Sequence, residues 1–444
     1  MYFNWLDYRF ENNPNDIFIR YDANEFSYEN FNNMLYDRIM GLSSLGLRPR
    51  QKVGIYLSNP FDFIEAYLAC YSLNAISVIF NDGWKKNEIK SAVDITCPEY
   101  IVCSWKDRGL FTDYKASIIS FEELSKSHGS CYDSRSKMVY NPNDVQSILF
   151  TSGTQGTPKA VCLTFKNFYE SSMKWKSILK LKNTDRYHLC LPLYHIGGLG
   201  IILRALHIGF SINIDLDKNF NKTNDSSIIS LVPTLLMSLM DNEVGLGFLK
   251  RLRCIVVSGS KVSKKLMEDC RSLGLKVFVS YGMTETCSSI CGFWPFNNKE
   301  NILSVGRPFI GVDIDIDNNQ IVVKSDTVMK RYYGHNNVDG VFKTKDLGLM
   351  IDGYLYLKGR SDGVVISGGE NIDQKEIINA ISTLGQFEKI IPFCDKDSYW
   401  GQINGVYVFT KDDISSDNLK IELKKILSSK KIPQRIIVKK VTPN

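Results

Sequence analysis

The chain has 444 residues, 44% of them hydrophobic and 23% charged, and its 54 basic against 48 acidic side chains give a formal net charge of +6. That length is too great for one ordinary core and asks for two to four compact units. The composition excludes a disordered or collagen-like chain. Basic residues spread along the sequence, rather than gathered in one arm, argue against a nucleic-acid partner.

The eleven cysteines form no C-x-x-C pair, the nearest approach being Cys287 and Cys291. Such a set in a long chain reads as reduced thiols, not a disulfide framework or a zinc site. His128, His188, His195, His207 and His335 show no metal-ligand spacing. Asp7, Arg9 and Glu11 interrupt the apolar start, so no signal peptide is expected. The most apolar stretch, 228–240, is short and broken by Pro233, so no membrane partner is expected either. Together these features predict a cytoplasmic chain. Self-association is left open.

In chain order, 27–44 predicts a helix with Ser27 as its N-cap and Gly46 just past its end. Residues 53–57 predict a strand, 60–73 a helix, and 75–80 a strand. Further buried strands are predicted at 147–150, 228–232, 254–257 and 277–280. Strands alternating with helices predict parallel sheets with helices on their faces. The stretch 104–142 has weak periodicity and reads largely as surface loop.

From Val312 the texture changes. Asn318-Asn319 signals one hairpin and Asp352-Gly353 a second. After Gly359-Arg360 come a short strand, a Gly-Gly turn, a helix near 374–384, strand-like segments and a helix near 418–427. The expected class is therefore α/β. A large unit of parallel-rich sheets flanked by helices, with a small β subdomain, covers 1–358. A small α+β unit covers 359–444, the junction lying near Arg360–Asp362.

The chemistry concentrates first at Thr151-Ser152-Gly153-Thr154-Gln155-Gly156-Thr157-Pro158-Lys159. An apolar strand runs into a loop of glycines and hydroxyls and then a lysine. Converging N–H groups, hydroxyl donors and one positive charge suit a polyphosphate. The segment lacks the Walker A pattern, and its plain alternative is a polar surface loop. His195 sits among apolar residues, where histidine more often packs than reacts.

These segments resemble the adenylate-forming superfamily, which includes acyl-CoA synthetases and peptide-synthetase adenylation domains. The loop resembles its phosphate motif, and Tyr281-Gly-Met-Thr-Glu-Thr286 its adenine, phosphate and magnesium motif. Lys345-Asp-Leu-Gly348 with Asp352-Gly-Tyr-Leu-Tyr356 resembles its ribose motif. Gly359-Arg-Ser-Asp362 followed by Ile366-Ser-Gly-Gly-Glu-Asn-Ile372 resembles its hinge motif. The motifs stand in family order, and the resemblance covers essentially the whole chain.

The resemblance implies an acid–thiol ligase that uses ATP, Mg2+ and CoA, with a mobile C-terminal lid. It implies nucleotide contacts from Thr151, Ser152, Gly153, Thr154, Gly156, Ser258, Gly259, Ser260, Tyr281, Gly282, Asp346 and Arg360. It implies catalytic roles for Lys159, His195, Thr284 and Glu285, with Glu285 also holding the metal and Asp362 serving as hinge. The segments 192–199, 228–235 and 280–288 resemble o-succinylbenzoate–CoA ligases of menaquinone synthesis, and Gly197-Gly198 would leave room for a flat ring. Alternatives are a ligase for another aryl or medium-chain acid, or an idle adenylate-binding protein.

Four departures from the family pattern stand out. The adenylation lysine position falls past Asn444, which predicts either a trimmed chain or a weak first half-reaction. Gln155 replaces a hydroxyl residue, and Ala160 replaces a glycine. Lys345 replaces a glycine at what is expected to be a tight turn.

Overall fold

The computed structural model describes residues 4–22, 24–124, 140–151, 158–215, 220, 225–297, 301–362, 364–397 and 399–441. Two twisted sheets build the large body. In one, five parallel strands, Val145–Thr151, Ile76–Ile79, Lys52–Tyr56, Tyr100–Cys103 and Ser117–Ser120, lie in that order. Lys159–Thr164 and Arg331–Tyr332 extend it antiparallel at one edge. In the other, six parallel strands run from Val277–Met283 through Cys254–Val257, Ile228–Leu231, Arg186–Leu189 and Ser211–Ile214 to Ile17–Tyr21, with antiparallel strands at both edges.

Helices Pro60–Ser72 and Ile196–Ile208 contribute to the apolar cluster that joins the two sheets. Both are buried nearly all round, as a helix with no polar face must be. Asn59 starts the first of them, its Oδ1 accepting from Phe61 N at 2.8 Å and Asp62 N at 3.2 Å, with Pro60 at the first helical position. The predicted helix at 27–44 is Tyr28–Ser44, capped by Ser27.

A four-stranded antiparallel sheet follows, made of Val312–Asp317, Gln320–Ser325, Val341–Ile351 and Tyr354–Arg360. Its two hairpin turns fall where the sequence predicts them. Asn318 and Asn319 have φ of 50° and 64°, and Asp352 and Gly353 have φ of 49° and 78°. The final strand runs on through Arg360. The hairpin Val364–Ser367 and Glu370–Asp373 then opens a small unit of three strands, Lys389–Asp397, Gly401–Thr410 and Arg435–Lys440, under helices Gln374–Ser382 and Ser416–Ile426. Its own core holds Ile377, Ile381, Val406, Val408, Leu419 and Leu423.

Within the stretch expected to be largely loop, Ser117–Ser120 is a paired strand and Phe121–Leu124 a helical turn, while 125–139 lies outside the described residues. One expectation is corrected. Lys345 does not sit in a tight turn. It lies exposed on the strand Val341–Ile351 with no positive φ, so a side chain costs nothing there. Among the described residues no helix is long and apolar enough to cross a membrane.

Candidate active site

A cavity of ≈ 1290 Å³ opens between the large body and the small unit. Strand ends and the loops after them supply most of its wall, the usual place for ligands in open α/β sheets. It gathers Thr151, Lys159, His195, Ser258, Gly259, Ser260, Tyr281, Gly282, Thr284, Glu285, Asp346, Arg360 and Asp362. Ser152, Gly153, Thr154, Gln155 and Gly156 lie outside the described residues.

Thr151 ends one strand and Lys159 begins the next, facing it in antiparallel register. The Thr151 hydroxyl is buried and has no partner among the described residues. Lys159 lies 5.3 Å from the ring centre of Tyr332. The Tyr332 hydroxyl donates to Glu285 Oε1 at 2.8 Å, and burial together with that carboxylate pushes the phenol far above its usual range. Tyr332 thus fixes the carboxylate expected to hold metal. A magnesium ion fits one hard carboxylate plus phosphate oxygens and needs no all-protein cage.

Tyr281 is buried at the end of Val277–Met283, and its hydroxyl donates to Asp346 Oδ2 at 2.7 Å. The other oxygen of Asp346 accepts from Arg360 Nη1 at 2.7 Å. Arg360 turns its Nε and Nη2 onto Asp362, at 2.9 and 2.7 Å. Burial opposes the charge on Asp362, but Arg360 outweighs it and holds the carboxyl below its usual range. A carboxylate has about four lone-pair positions, so Asp346 can still accept from a ribose diol.

His195 stands just before helix Ile196–Ile208. Its Nε2 lies 3.2 Å from Glu370 Oε1, across the seam. Lys430 Nζ bonds the same carboxylate oxygen and reaches the Tyr194 hydroxyl at 3.0 Å. Burial alone would raise the Glu370 pKa; His195 and Lys430 hold it down, at about 2. A glycine closes the same seam. Gly369 of the small unit, at φ +87°, faces Val232 of the large body, where a Cβ would stand 2.7 Å from the methyl Cγ1; Gly259, also at φ +87°, approaches the same methyl from within the large body, at 3.2 Å.

The glycine pair divides. Gly197 lines the cavity, as expected of a residue that leaves room. Gly198 does not; a Cβ there would overlap the Pro192 carbonyl, so packing alone demands glycine.

Sequence reasoning missed Tyr332 and Arg204. Arg204 is 2% exposed, its Nη2 donates to Ser288 Oγ at 3.1 Å, and its guanidinium lies 4.9 Å from the Trp175 ring centre. Its Nε has no partner, and no carboxylate among the described residues pairs with it. Ser288 lines the cavity. The available signal was a lone arginine in the otherwise apolar run of 196–206.

A sequence profile described as AMP-binding enzyme matches residues 6–333. The chain belongs to that family. The 2-succinylbenzoate–CoA ligases of Bacillus velezensis and Bacillus subtilis are similar to it, at 28% and 27% identity. Those alignments cover 97% and 98% of this chain and 92% and 93% of the relatives. A Bacillus subtilis o-succinylbenzoate CoA synthetase double mutant bound with a product analogue, OSB-NCoA, has a TM-score of 0.89 at 26% identity, covering 100% of this chain and 96% of that one. The same enzyme with the acyl-adenylate OSB-AMP has a TM-score of 0.76 at 26% identity, covering 100% and 95%. Over its whole length this chain superposes better on the product-analogue complex than on the acyl-adenylate complex.

Proposed function

We propose that this chain is an AMP-forming acid–thiol ligase that converts 2-succinylbenzoate, ATP and CoA to the CoA thioester, AMP and pyrophosphate, as a step of menaquinone synthesis. The observation that carries the reading is the single cavity that joins the adenylate motifs to the small unit's Glu370 hairpin. Similarity to the Bacillus ligases over nearly the full chain supports it.

A carboxylate does not yield to a thiol, because oxide is a poor leaving group. Attack of the carboxylate on the α-phosphorus forms an acyl-adenylate and releases pyrophosphate. The residues align the reactants and offset charge as it shifts. Thr151, Lys159 and Thr284 face the phosphates, while Tyr281 and Ser258-Gly259-Ser260 wall the adenine. Asp346, steadied by Arg360, takes the ribose. Glu285 would hold magnesium, which would draw charge from the phosphates when bound. The CoA sulfur then attacks the acyl carbonyl and AMP leaves. We take 1–358 and 359–444 as the two working units, with Asp362 as the hinge between half-reactions.

Arg204, through Ser288, supports this choice of acid. A buried guanidinium without a counter-charge is costly, and this one stands behind Ser288 on the cavity wall. It suits a substrate that brings a second carboxylate. The cysteines among the described residues are free, which fits a cytoplasmic enzyme. Thioester formation from 2-succinylbenzoate, ATP, magnesium and CoA tests the proposal, run beside benzoate and hexanoate. Thioester from 2-succinylbenzoate above the others is expected. No thioester from any acid, with ATP still bound, would overturn it in favour of an idle nucleotide binder.

A further inference from the structure

Lys431 sits on the seam between the two units with two carboxylates on it. Its Nζ lies 2.7 Å from Glu376 Oε1, in its own unit, and 2.7 Å from Glu88 Oε1, in the large body. The three side chains are 21%, 15% and 9% exposed, so solvent screens them weakly. Glu376 travels with Lys431 wherever the small unit goes. Glu88 does not.

Glu88 is already fixed on its own side. It is the third residue of helix Lys86–Thr96, and its Oε2 accepts the Lys85 N–H at 2.9 Å, the half of a capping box that a third-position glutamate supplies. The remaining oxygen points across the seam, where Ser428 Oγ adds a contact at 3.3 Å. A carboxylate held this way loses little freedom when the small unit arrives. Burial pulls the Lys431 pKa down, but Glu376 and Glu88 outweigh it and raise it. Docking therefore exchanges part of the ammonium's hydration for a second anion.

We infer that Glu88 is a positioning residue, the fixed half of an electrostatic latch with Lys431 that holds the small unit in the placement from which CoA attacks. The inference rests on the ligase reading for its kinetic consequence and on the seam geometry for the latch itself. Glu88 sets the balance between placements, so it governs the thioester step and leaves adenylation alone.

The test uses Glu88→Gln, because glutamine still caps the helix while the charge is lost. Spin labels at Cys97 and Ile421→Cys, both exposed in the native chain, report the separation of the units by pulsed paramagnetic resonance, with Cys131 and Cys394 replaced by serine. The ratio of docked to undocked chains is expected to fall about tenfold in Glu88→Gln. Glu376→Gln should raise it, because Lys431 is then no longer shared. The rate of thioester formation from a presynthesised acyl-adenylate should fall with the ratio in Glu88→Gln, while pyrophosphate exchange holds. A distribution unmoved by Glu88→Gln, or moved in the same direction by both substitutions, would overturn the latch. A moved distribution with no thioester even from the wild-type chain would leave the latch standing and sink the ligase reading.

Discussion

Replacing Arg204 with methionine should make the protein more stable and a worse ligase for one acid only. The guanidinium is buried without a carboxylate, and burial lowers its pKa. Apolar replacement of buried charge has stabilised other proteins by about 1–4 kcal/mol. Here the lost bond to Ser288 and the lost contact with Trp175 place the gain at the low end of that range. A hydrogen bond from a charged donor contributes about 1.5–3 kcal/mol. At about 1.4 kcal/mol per factor of ten, Arg204→Met should cost roughly 10- to 100-fold in kcat/KM for 2-succinylbenzoate. The assay pairs that acid with 4-oxo-4-phenylbutanoate, the same skeleton without the ring carboxylate. The monoacid should lose less than about threefold, and the thermal midpoint should rise. An equal loss on both acids, or a lower midpoint, would refute the argument that Arg204 is kept for a distal carboxylate.

Glu285→Gln should lower pyrophosphate exchange by roughly 10²-fold and weaken its dependence on magnesium concentration, while thioester formation from presynthesised adenylate is spared. Gly198→Ala should destabilise by about 1–3 kcal/mol or more, because the new Cβ meets backbone. Gly197→Ala meets only Leu191 Cδ1, at 3.1 Å, so its thermal midpoint should hold while the preference among acids shifts. Glu370 sets a pH dependence. Its ordinary value of 4.5 falls to about 2 in the folded chain. A depressed carboxyl stabilises fully above its unfolded value and loses that contribution as pH drops through the folded one. The difference in thermal midpoint between wild type and Glu370→Gln should therefore shrink between about pH 4.5 and 2. A gap that widens on acidification would contradict the sign.

Local chemistry was legible in the sequence, and long-range pairing was not. Asn318-Asn319 and Asp352-Gly353 announce their hairpins because few other residues accept positive φ. The motif residues share a cavity although they come from different sheets: Tyr281 lies near the end of a strand of a parallel-rich sheet, Asp346 and Arg360 on paired antiparallel strands, and His195 just before a helix. Tyr332 escaped notice because its strand is two residues long and its meaning comes from Lys159 and Glu285, far away in the chain. The Lys430–Glu370 and Lys431–Glu88 contacts were hidden for the same reason. Lys345 misled in the opposite direction. A family glycine suggested a turn, but an exposed position on an extended strand accepts any side chain. Gly198 was read as room for substrate when a backbone carbonyl already fills the space.

Gly369 meets Val232 of the large body with bare backbone, so at that point of the seam the small unit keys no side chain into the large body. Two surfaces that do not mesh can turn past each other without first being lifted apart. The contact works as a bearing. A methyl group added at residue 369 would make it a ratchet, and the small unit would then have to climb over Val232 in every catalytic cycle.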